Sequence, residues 1–236
     1  MAVPLTPEEK IKTAQSPRER KAAGAAPRSI APPRPPRQLR SEESLAKMIR
    51  AGRELIEQHA NLDLVLIGDV IRLAGTSIGA FYGRFQDKEA FLAAVLEAAV
   101  AESQAEADNL VWQNVVWTEG TASEIIAAMV DYYVDSCRQN QGTFRAVIKD
   151  FSLDNRESSL LFALNRHLHA LFVPALLRKI QARAGEDIEA EIQIAMQMLL
   201  GTLSSMMLTA PGPMHLADDA IKPQLTERMR RLLRLD

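Results

Sequence analysis

The sequence predicts an all-α protein with about nine helices, and three observations lead to that fold class. From Ser41 onward, apolar residues recur at three- and four-residue steps, and no series of strand-like segments occurs. Helix-capping residues precede some of these segments, and Thr121 and Glu124 form a capping box just ahead of Ile125. The chain has 236 residues, 47% of them hydrophobic, which suffices for one substantial domain or two small ones.

The first 40 residues differ from the rest of the chain in charge and composition. They contain nine Lys or Arg and three Glu, which leaves 19 basic against 27 acidic residues for the remainder. They also hold eight of the 12 prolines and lack apolar periodicity. We therefore predict a disordered or polyproline-like basic arm over residues 1–40. The arm is either a solubilising tail or a segment that follows DNA phosphates or enters a minor groove.

The helices after the arm follow from the spacing of apolar residues. One helix is predicted from Ser41 to about Ala60, and the apolar stretch at 64–75 fits either a buried strand or a short helix. Asp87 is suited to cap the next helix. Further helical faces begin near Ile125, Phe144, Leu160 and Ile188, and a last helix has Pro223 in its first turn. The face from Leu160 is expected to be interrupted or kinked near Pro174.

Residues 75–79 spell G-x-S-x-G, which fits two different motifs. In a hydrolase nucleophile elbow, Ser77 would follow a strand and act as the nucleophile of a catalytic triad. Asp154 or Asp187 would be the acid of that triad, and His215 the base. In a DNA-reading helix-turn-helix, two short helices flank a tight turn that usually contains glycine.

The context favours the helix-turn-helix. The chain offers no series of buried strands and has only 11 glycines for a fold rich in tight loops. Gly75 suits the turn because it lacks a Cβ atom, and Ser77 suits the cap of the second helix. Phe81 and Phe85 are four residues apart and are expected to anchor that helix to the core.

The segment AGTSIGAFYGRFQDKEAFLAAVLE, residues 74–97, resembles part of the tetracycline-repressor (TetR) family of bacterial regulators. The family pattern is roughly A-G-[VT]-S-x-[GA]-x-[FL]-Y-x-[HYR]-F-x-x-K-x-x-L. The resemblance implies a three-helix DNA-binding domain over 41–100, with its motif at about 66–85, and a helical effector-binding and dimerisation domain over 101–236. It implies a homodimer on double-stranded operator DNA, without catalytic residues, cofactor or metal.

By position, the resemblance assigns the DNA contacts. Thr76, Ser77, Ile78, Gly79 and Ala80 are expected to face the major groove, Tyr82 and Lys88 to contact phosphates, and Arg84 to reach backbone or base. The chain departs from the pattern at Leu66 and Gly68, where the family usually has Thr and then often Arg or Lys. A phosphate contact is therefore missing, and we hypothesise that the basic arm replaces it.

The resemblance also places an effector pocket among the middle helices and a dimer contact in the last two. The pocket is expected to be apolar, with a lining of Trp112, Trp117, Met129, Tyr133, Phe144, Phe162 and Met196. The dimer contact is expected at Leu199, Leu203, Met206, Leu225, Met229 and Leu232, for which core packing within one chain is the alternative.

Cysteine and histidine offer no further site. Cys137 lies in an apolar helical stretch and is expected to be a buried small hydrophobe. His167 and His169 are two apart, which puts them on different helix faces and argues against a shared metal. The first residues lack the apolar centre of a signal peptide and no run approaches a membrane span, so we expect a cytoplasmic protein without membrane contact.

Three function classes follow. The leading prediction is a TetR-like regulator, a repressor by family resemblance, that binds a palindromic operator and is released by a small apolar effector. A helical ligand-binding or scaffold protein without operator specificity is the second. A serine hydrolase that uses Ser77 is the third.

Overall fold

The computed structural model describes residues 37–149, 160–180, 187–209 and 212–235. These ranges contain ten α-helices and no strand, which confirms the all-α fold class. The helices are α1 (Arg37–His59), α2 (Ile67–Ala74), α3 (Ile78–Tyr82), α4 (Lys88–Gln113), α5 (Val116–Glu119), α6 (Ala122–Gln139), α7 (Gln141–Lys149), α8 (Leu160–Leu177), α9 (Ile188–Leu208) and α10 (Ile221–Leu232). Of the predicted arm, residues 1–36 lie outside the described ranges, and residues 37–40 already belong to α1.

The buried side chains form two clusters, and helices α4 and α7 contact both of them. The first cluster joins α1 to α3 with the start of α4 and with Ala146 of α7, and the second joins α5, α6, α8, α9 and α10 with the end of α4. Phe91 and Val95 of α4 belong to the first cluster, whereas Ala107 belongs to the second. The domain boundary proposed at residue 100 thus falls inside a continuous helix, where the packing changes partner between Leu96 and Val100.

Local capping signals in the sequence correspond to real helix ends. The Asp87 carboxylate accepts a hydrogen bond from the Ala90 backbone N–H at 2.7 Å and begins α4. At α6, the Thr121 hydroxyl accepts from the Glu124 N–H at 3.3 Å, and the Glu124 carboxylate accepts from the Thr121 N–H at 2.8 Å. These two bonds confirm the capping box. The bonds that the Thr121 N–H and the Thr121 hydroxyl donate to the Glu124 carboxylate lower its pKa, because they favour its charged form.

Helix α8 continues through Pro174, so the predicted interruption is wrong. Pro174 lies three residues before the end of the helix, with its side chain exposed, and the chain stays helical to Leu177. Among the described helices, α8 alone is long and apolar enough to cross a membrane by length and composition. It packs against α4, α6 and α9, and the side chains that it buries belong to the second cluster: Leu164, Leu168, Phe172, Val173, Ala175 and Leu176.

Candidate DNA-binding and effector sites

Residues 67–85 form a helix, a tight turn and a second short helix. Gly75 ends α2 with φ 60° and ψ 39°, and its backbone N–H donates to the carbonyl of Arg72. Ser77 precedes α3 in an extended conformation, and its hydroxyl accepts from the Ala80 N–H at 3.2 Å. The stretch that fitted either a strand or a helix is therefore a helix at Ile67–Ala74.

This arrangement does not provide a nucleophile elbow. The elbow requires a strand before its serine, and Ser77 follows α2 instead. Asp187, one of the two acids considered, caps α9 by accepting from the Ala190 N–H at 3.1 Å. Asp154, the other acid, lies outside the described residues.

Helix α3 is anchored by aromatic packing on one side. Phe81 is fully buried, and its ring centroid lies 5.3 Å from that of Phe85 and 5.1 Å from that of Phe91. These contacts attach α3 to α4 and so fix which side faces solvent. Ile78, 63% exposed, and Tyr82, 51% exposed, lie on the free side.

The residues predicted to contact DNA differ in how exposed they are to solvent. Ser77, Ile78, Gly79 and Tyr82 are exposed, and Thr76 and Ala80 are half-buried beside them. An added Cβ atom at Gly79 would meet no atom within 4 Å, so this part of α3 is open to a partner.

Arg84 and Lys88 already bind other parts of the protein. The Arg84 guanidinium donates to the Ser41 hydroxyl at 2.7 Å and to the Ser41 carbonyl. The Lys88 ammonium donates to the Asp63 carbonyl at 2.8 Å. Each group keeps further N–H donors for a phosphate, while its present bonds hold α1 and the loop before α2 against the motif.

Exposed leucines near the motif were not assigned by sequence reasoning. Leu64 and Leu66 before α2 and Leu73 at its end are all exposed. Arg72 pairs with Asp69 at 2.7 Å. The exposed surface of α2 and α3 therefore carries apolar side chains beside the largely exposed Arg72, and the apolar side chains suit contacts with thymine methyl groups.

A cavity of about 180 Å³ lies among α6, α7, α8 and α9. None of the described residues that line it is charged. Its polar groups are the hydroxyls of Tyr132, Tyr133, Ser136 and Ser204, the thiol of Cys137 and the amide of Asn165. The rest of the lining is aliphatic or aromatic, contributed by Phe144, Ile148, Leu161, Leu164, Leu168, Leu200, Leu203 and Met207.

The seven residues expected to line the pocket separate into three groups. Tyr133 and Phe144 line the cavity. Trp117, Met129 and Met196 are fully buried core residues away from its wall, with the Trp117 ring stacked 4.9 Å from that of Phe172. Trp112 is 85% exposed and Phe162 is also exposed, and neither lines the cavity.

The sequence carried a signal for one of the missed lining residues. Asn165 is a lone polar residue on the face of α8 that Leu161, Leu164 and Leu168 define, at spacings of one, three and four residues. A polar side chain on a buried helical face requires a partner and therefore marks a candidate ligand contact.

Two polar atoms at the cavity have no protein partner. The Tyr133 hydroxyl and the Asn165 Oδ1 atom are both buried without a hydrogen bond, whereas the Tyr132 hydroxyl donates to the Ser103 carbonyl at 2.9 Å. Burial raises the pKa of the Tyr133 hydroxyl and raises that of the Cys137 thiol to about 12. Both groups are therefore neutral at physiological pH, and Cys137 is the buried small residue that its sequence context predicted.

Most of the residues expected at a dimer contact are buried within one chain. Leu199, Leu203, Met206, Leu225 and Met229 all belong to the second cluster, and Leu232 is half-buried against it. Core packing, the alternative interpretation, accounts for the five buried residues.

The exposed side of α9 instead carries Ile194, Met198, Gly201, Ser205 and Leu208 at alternating four- and three-residue steps. We call these five residues the α9 stripe.

The histidines do not form a metal site in the described residues. The His167 Nε2 atom lies 3.0 Å from an Asp108 carboxylate oxygen. The His169 Nε2 atom is buried without a partner, and burial lowers the pKa of this imidazole. Across the part of the chain that the structure describes, no group of three or more His, Cys, Asp or Glu could hold a metal ion.

Helix α7 connects the helix-turn-helix region to the cavity. The Glu57 carboxylate of α1 accepts from the backbone N–H groups of Gly142 and Thr143 at 2.6 and 2.8 Å, and from the Thr143 hydroxyl at 3.0 Å. The helices approach so closely that a Cβ atom at Gly142 would lie 2.0 Å from the Glu57 carbonyl oxygen. Phe144 and Ile148, on the same helix, line the cavity.

Comparison with solved structures defines the class of fold. No protein-family model and no curated protein sequence matches the chain. The transcriptional regulator FadR from Bacillus subtilis, solved with stearoyl-CoA, is 17% identical, with 78% of this chain and 96% of that chain covered at a TM-score of 0.55. A TetR transcriptional regulator from Rhodococcus sp. RHA1 is 14% identical, with 84% and 96% covered at a TM-score of 0.48.

The chain thus shares its fold with the transcriptional regulator FadR. The segment at residues 74–97 that resembles the TetR family includes the turn and second helix of the helix-turn-helix.

Proposed function

We propose that this protein is a TetR-like transcriptional regulator that binds operator DNA through α3 and is released by a small molecule. The observation that carries the proposal is the geometry of α3. Buried Phe81 fixes one side of the helix, while Ser77 caps its start and Ile78, Gly79 and Tyr82 stay exposed. A slim, capped helix with a free N-terminal turn suits insertion into a major groove and a phosphate contact at its positive end.

A homodimer supplies the second recognition helix. The α9 stripe supports this assembly, because Ile194, Met198 and Leu208 are large apolar side chains left exposed at coiled-coil spacing. Gly201 and Ser205 between them allow two helices to approach closely. A two-fold dimer of this kind reads a roughly palindromic operator, with half-sites about 34–36 Å apart or a multiple of that distance.

The effector is small and apolar, and it binds in the cavity among α6, α7, α8 and α9. The FadR complex with stearoyl-CoA supports a small-molecule effector for a protein of this fold. The cavity measures about 180 Å³, and none of its described lining residues is charged. It therefore suits a smaller and less charged molecule than a coenzyme A ester, since burying a phosphate without a charged partner is costly.

Effector binding reaches the DNA-binding helices through α7. Phe144 and Ile148 contact the cavity, while Gly142 and Thr143 hold Glu57 of α1. A ligand that moves α7 must move α1 or break these bonds. Release follows if the ligand binds more tightly to the state in which the two α3 helices no longer match the operator spacing. By family resemblance, we infer that the protein is a repressor.

Selection of bound sequences from a random DNA pool tests the proposal. Purified full-length protein should enrich an inverted repeat, and the affinity for that repeat is then measured for the parent protein and three variants. The Ser77→Ala, Tyr82→Phe double variant and the Gly79→Leu variant should each bind that repeat at least about tenfold more weakly, because they remove a helix cap and a phosphate contact or obstruct the groove. Ala105→Leu, an exposed change on α4, is the matched control and should bind normally.

Two results would contradict the proposal. One is enrichment of no sequence above non-specific binding, which would favour a ligand-binding or scaffold protein. The other is loss of an ester-hydrolysing activity in the Ser77 variant with DNA binding intact.

The basic arm has a separate test. Deletion of residues 1–36, which ends before α1, removes seven Lys or Arg and three Glu. We expect weaker operator binding and a shallower dependence of affinity on salt, because fewer counterions are released. Unchanged affinity and salt dependence would make the arm a solubilising tail.

A further inference from the structure

The cavity among α6, α7, α8 and α9 combines an apolar wall with two unpaired polar atoms. Its wall is apolar, yet the Tyr133 hydroxyl and the Asn165 Oδ1 atom are buried there without a protein partner. Tyr133 is 3% exposed and comes from α6, whereas Asn165 comes from α8. Two unpaired polar groups on facing helices of an apolar cavity require a third group that bonds to them, because a buried polar group without a hydrogen bond is destabilising.

The donors and acceptors narrow the choice of that third group. The tyrosine hydroxyl donates one hydrogen bond and also accepts, while the amide accepts through its oxygen and donates through its nitrogen. A ligand hydroxyl accepts from Tyr133 and donates to Asn165 Oδ1. With the amide turned over, it donates to Tyr133 and accepts from Asn165 Nδ2, so it pairs with either orientation. A ligand carbonyl, which only accepts, satisfies both residues in one orientation alone.

The charge and size of the cavity narrow the choice further. None of the described lining residues is charged, and burial raises the pKa of both Tyr133 and Cys137, so that both stay neutral. An ionised ligand group would be buried there without a counterion, at a large desolvation cost. The volume of about 180 Å³ is close to that of cavities which hold a single benzene ring.

We propose that this cavity binds an uncharged, hydroxyl-bearing apolar compound of one ring or similar size, whose hydroxyl bridges Tyr133 and Asn165. The inference rests on the proposed function, because it takes this cavity to be the effector site. It adds the chemical class of the effector and the two residues that recognise it.

Three probe compounds of similar shape test the inference by calorimetry on the full-length protein without DNA. They are 4-ethylphenol, ethylbenzene, which lacks the hydroxyl, and 4-ethylbenzoate, which is ionised at neutral pH. We expect 4-ethylphenol to bind at least about tenfold more tightly than ethylbenzene, because two hydrogen bonds of ordinary strength give a factor of that size. 4-Ethylbenzoate should bind more weakly than 4-ethylphenol.

Variants test which residues cause the preference for the compound with a hydroxyl group. Tyr133→Phe and Asn165→Leu should each reduce the ratio of the two affinities, and the double variant should bring it near one while ethylbenzene still binds. Retained ethylbenzene binding separates loss of recognition from loss of folding. Asn109→Leu, an exposed change on α4 away from the cavity lining, is the matched control and should keep the parent ratio.

Several outcomes would overturn the inference. They are equal binding of 4-ethylphenol and ethylbenzene by the parent protein, tighter binding of the benzoate, binding of none of the three compounds, and an unchanged ratio in the double variant. Each leaves the proposed operator binding through α3 in place if the protein still selects an operator. Conversely, if the protein selects no operator, a hydroxyl preference measured without DNA still stands, so the two tests can fail separately.

Discussion

At the scale of single residues, the backbone conformation at Gly75 favours a residue without a Cβ atom. Its φ of 60° lies in the left-handed region, which strains any residue with a Cβ atom. Thr76 and Ser77 follow directly in the sequence and depend on that turn for their position in the motif. The conformation of Gly75 therefore sets the angle between α2 and α3.

We predict that Gly75→Ala lowers the free energy of unfolding by about 1 kcal/mol. The strain arises although an added Cβ atom would meet no other atom within 4 Å. Gly68→Ala, in the first turn of the same helix, should leave stability unchanged or raise it by up to about 1 kcal/mol, because Ala has the higher helix propensity. Urea denaturation of both variants measures the difference, and equal effects would show that the left-handed turn is not strained by Ala.

A second prediction concerns the pH dependence of stability. Burial lowers the pKa of the His169 imidazole, whose Nε2 atom has no partner. The unfolded chain then takes up a proton at a higher pH than the folded chain, so the stabilising contribution is complete above about pH 6.5 and is lost as the pH falls toward the folded pKa.

Replacement of His169 should remove that part of the acid destabilisation. We expect His169→Leu to lose less free energy of unfolding between pH 7 and pH 5 than the parent protein does. His215→Leu, a change at an exposed imidazole, should retain the parental loss. Denaturation curves at several pH values provide the measurement, and parallel curves for the parent and the His169 variant would refute the prediction.

At the scale of elements, the contact between α1 and α7 has the most demanding geometry. Glu57 satisfies backbone N–H groups at the start of α7, which otherwise have no partner within the helix. Gly142 lets the two backbones meet. Because α7 also lines the cavity, this contact is the place where effector and DNA binding are expected to communicate.

We predict that Glu57→Gln destabilises the protein by about 1–3 kcal/mol. The amide nitrogen of Gln can donate but cannot accept, so one of the two backbone N–H groups loses its acceptor. Glu54→Gln, on the exposed side of the same helix, is the matched control and should change stability by less than about 0.5 kcal/mol. Thermal unfolding of the two variants tests the difference, and similar losses would contradict this role for Glu57.

At the scale of the whole molecule, we propose that two chains associate through the α9 stripe. We predict that Met198→Glu shifts the protein to monomer at micromolar concentration, because a charge at an apolar helix contact is buried without a partner. Gln193→Glu introduces the same charge on the same helix outside the stripe and should leave the dimer intact. Sedimentation velocity measures both, and a dimeric Met198→Glu variant would place the interface elsewhere.

Much of the fold was predictable from local sequence because its determinants are local. The capping box at Thr121 and Glu124, the cap at Asp87 and the turn at Gly75 each act within a few residues of chain. The helix-turn-helix motif shares this property, since Phe81 and Phe85 anchor α3 within the same short segment. These features do not depend on how distant helices pack.

Residues in the larger helical part were harder to assign because α8 and α9 are apolar on more than one side. Periodicity marks Leu203 and Met198 equally as apolar positions, yet Leu203 is buried in its own chain and Met198 is exposed. In the same way, the sequence does not distinguish Trp112, which is exposed, from Trp117, which is buried.

The sequence by itself determined the helical fold class, the helix boundaries set by caps and turns, and the helix-turn-helix at residues 67–85, whose second half resembles the TetR family. The tertiary structure decided which apolar faces form the core, which side of α9 stays exposed, and which polar groups, Tyr133 and Asn165 among them, meet at one cavity. The physical reason is the distance along the chain over which the deciding interactions act. Caps and turns depend on neighbours in sequence, whereas burial and cavities depend on contacts between helices that are far apart along the chain.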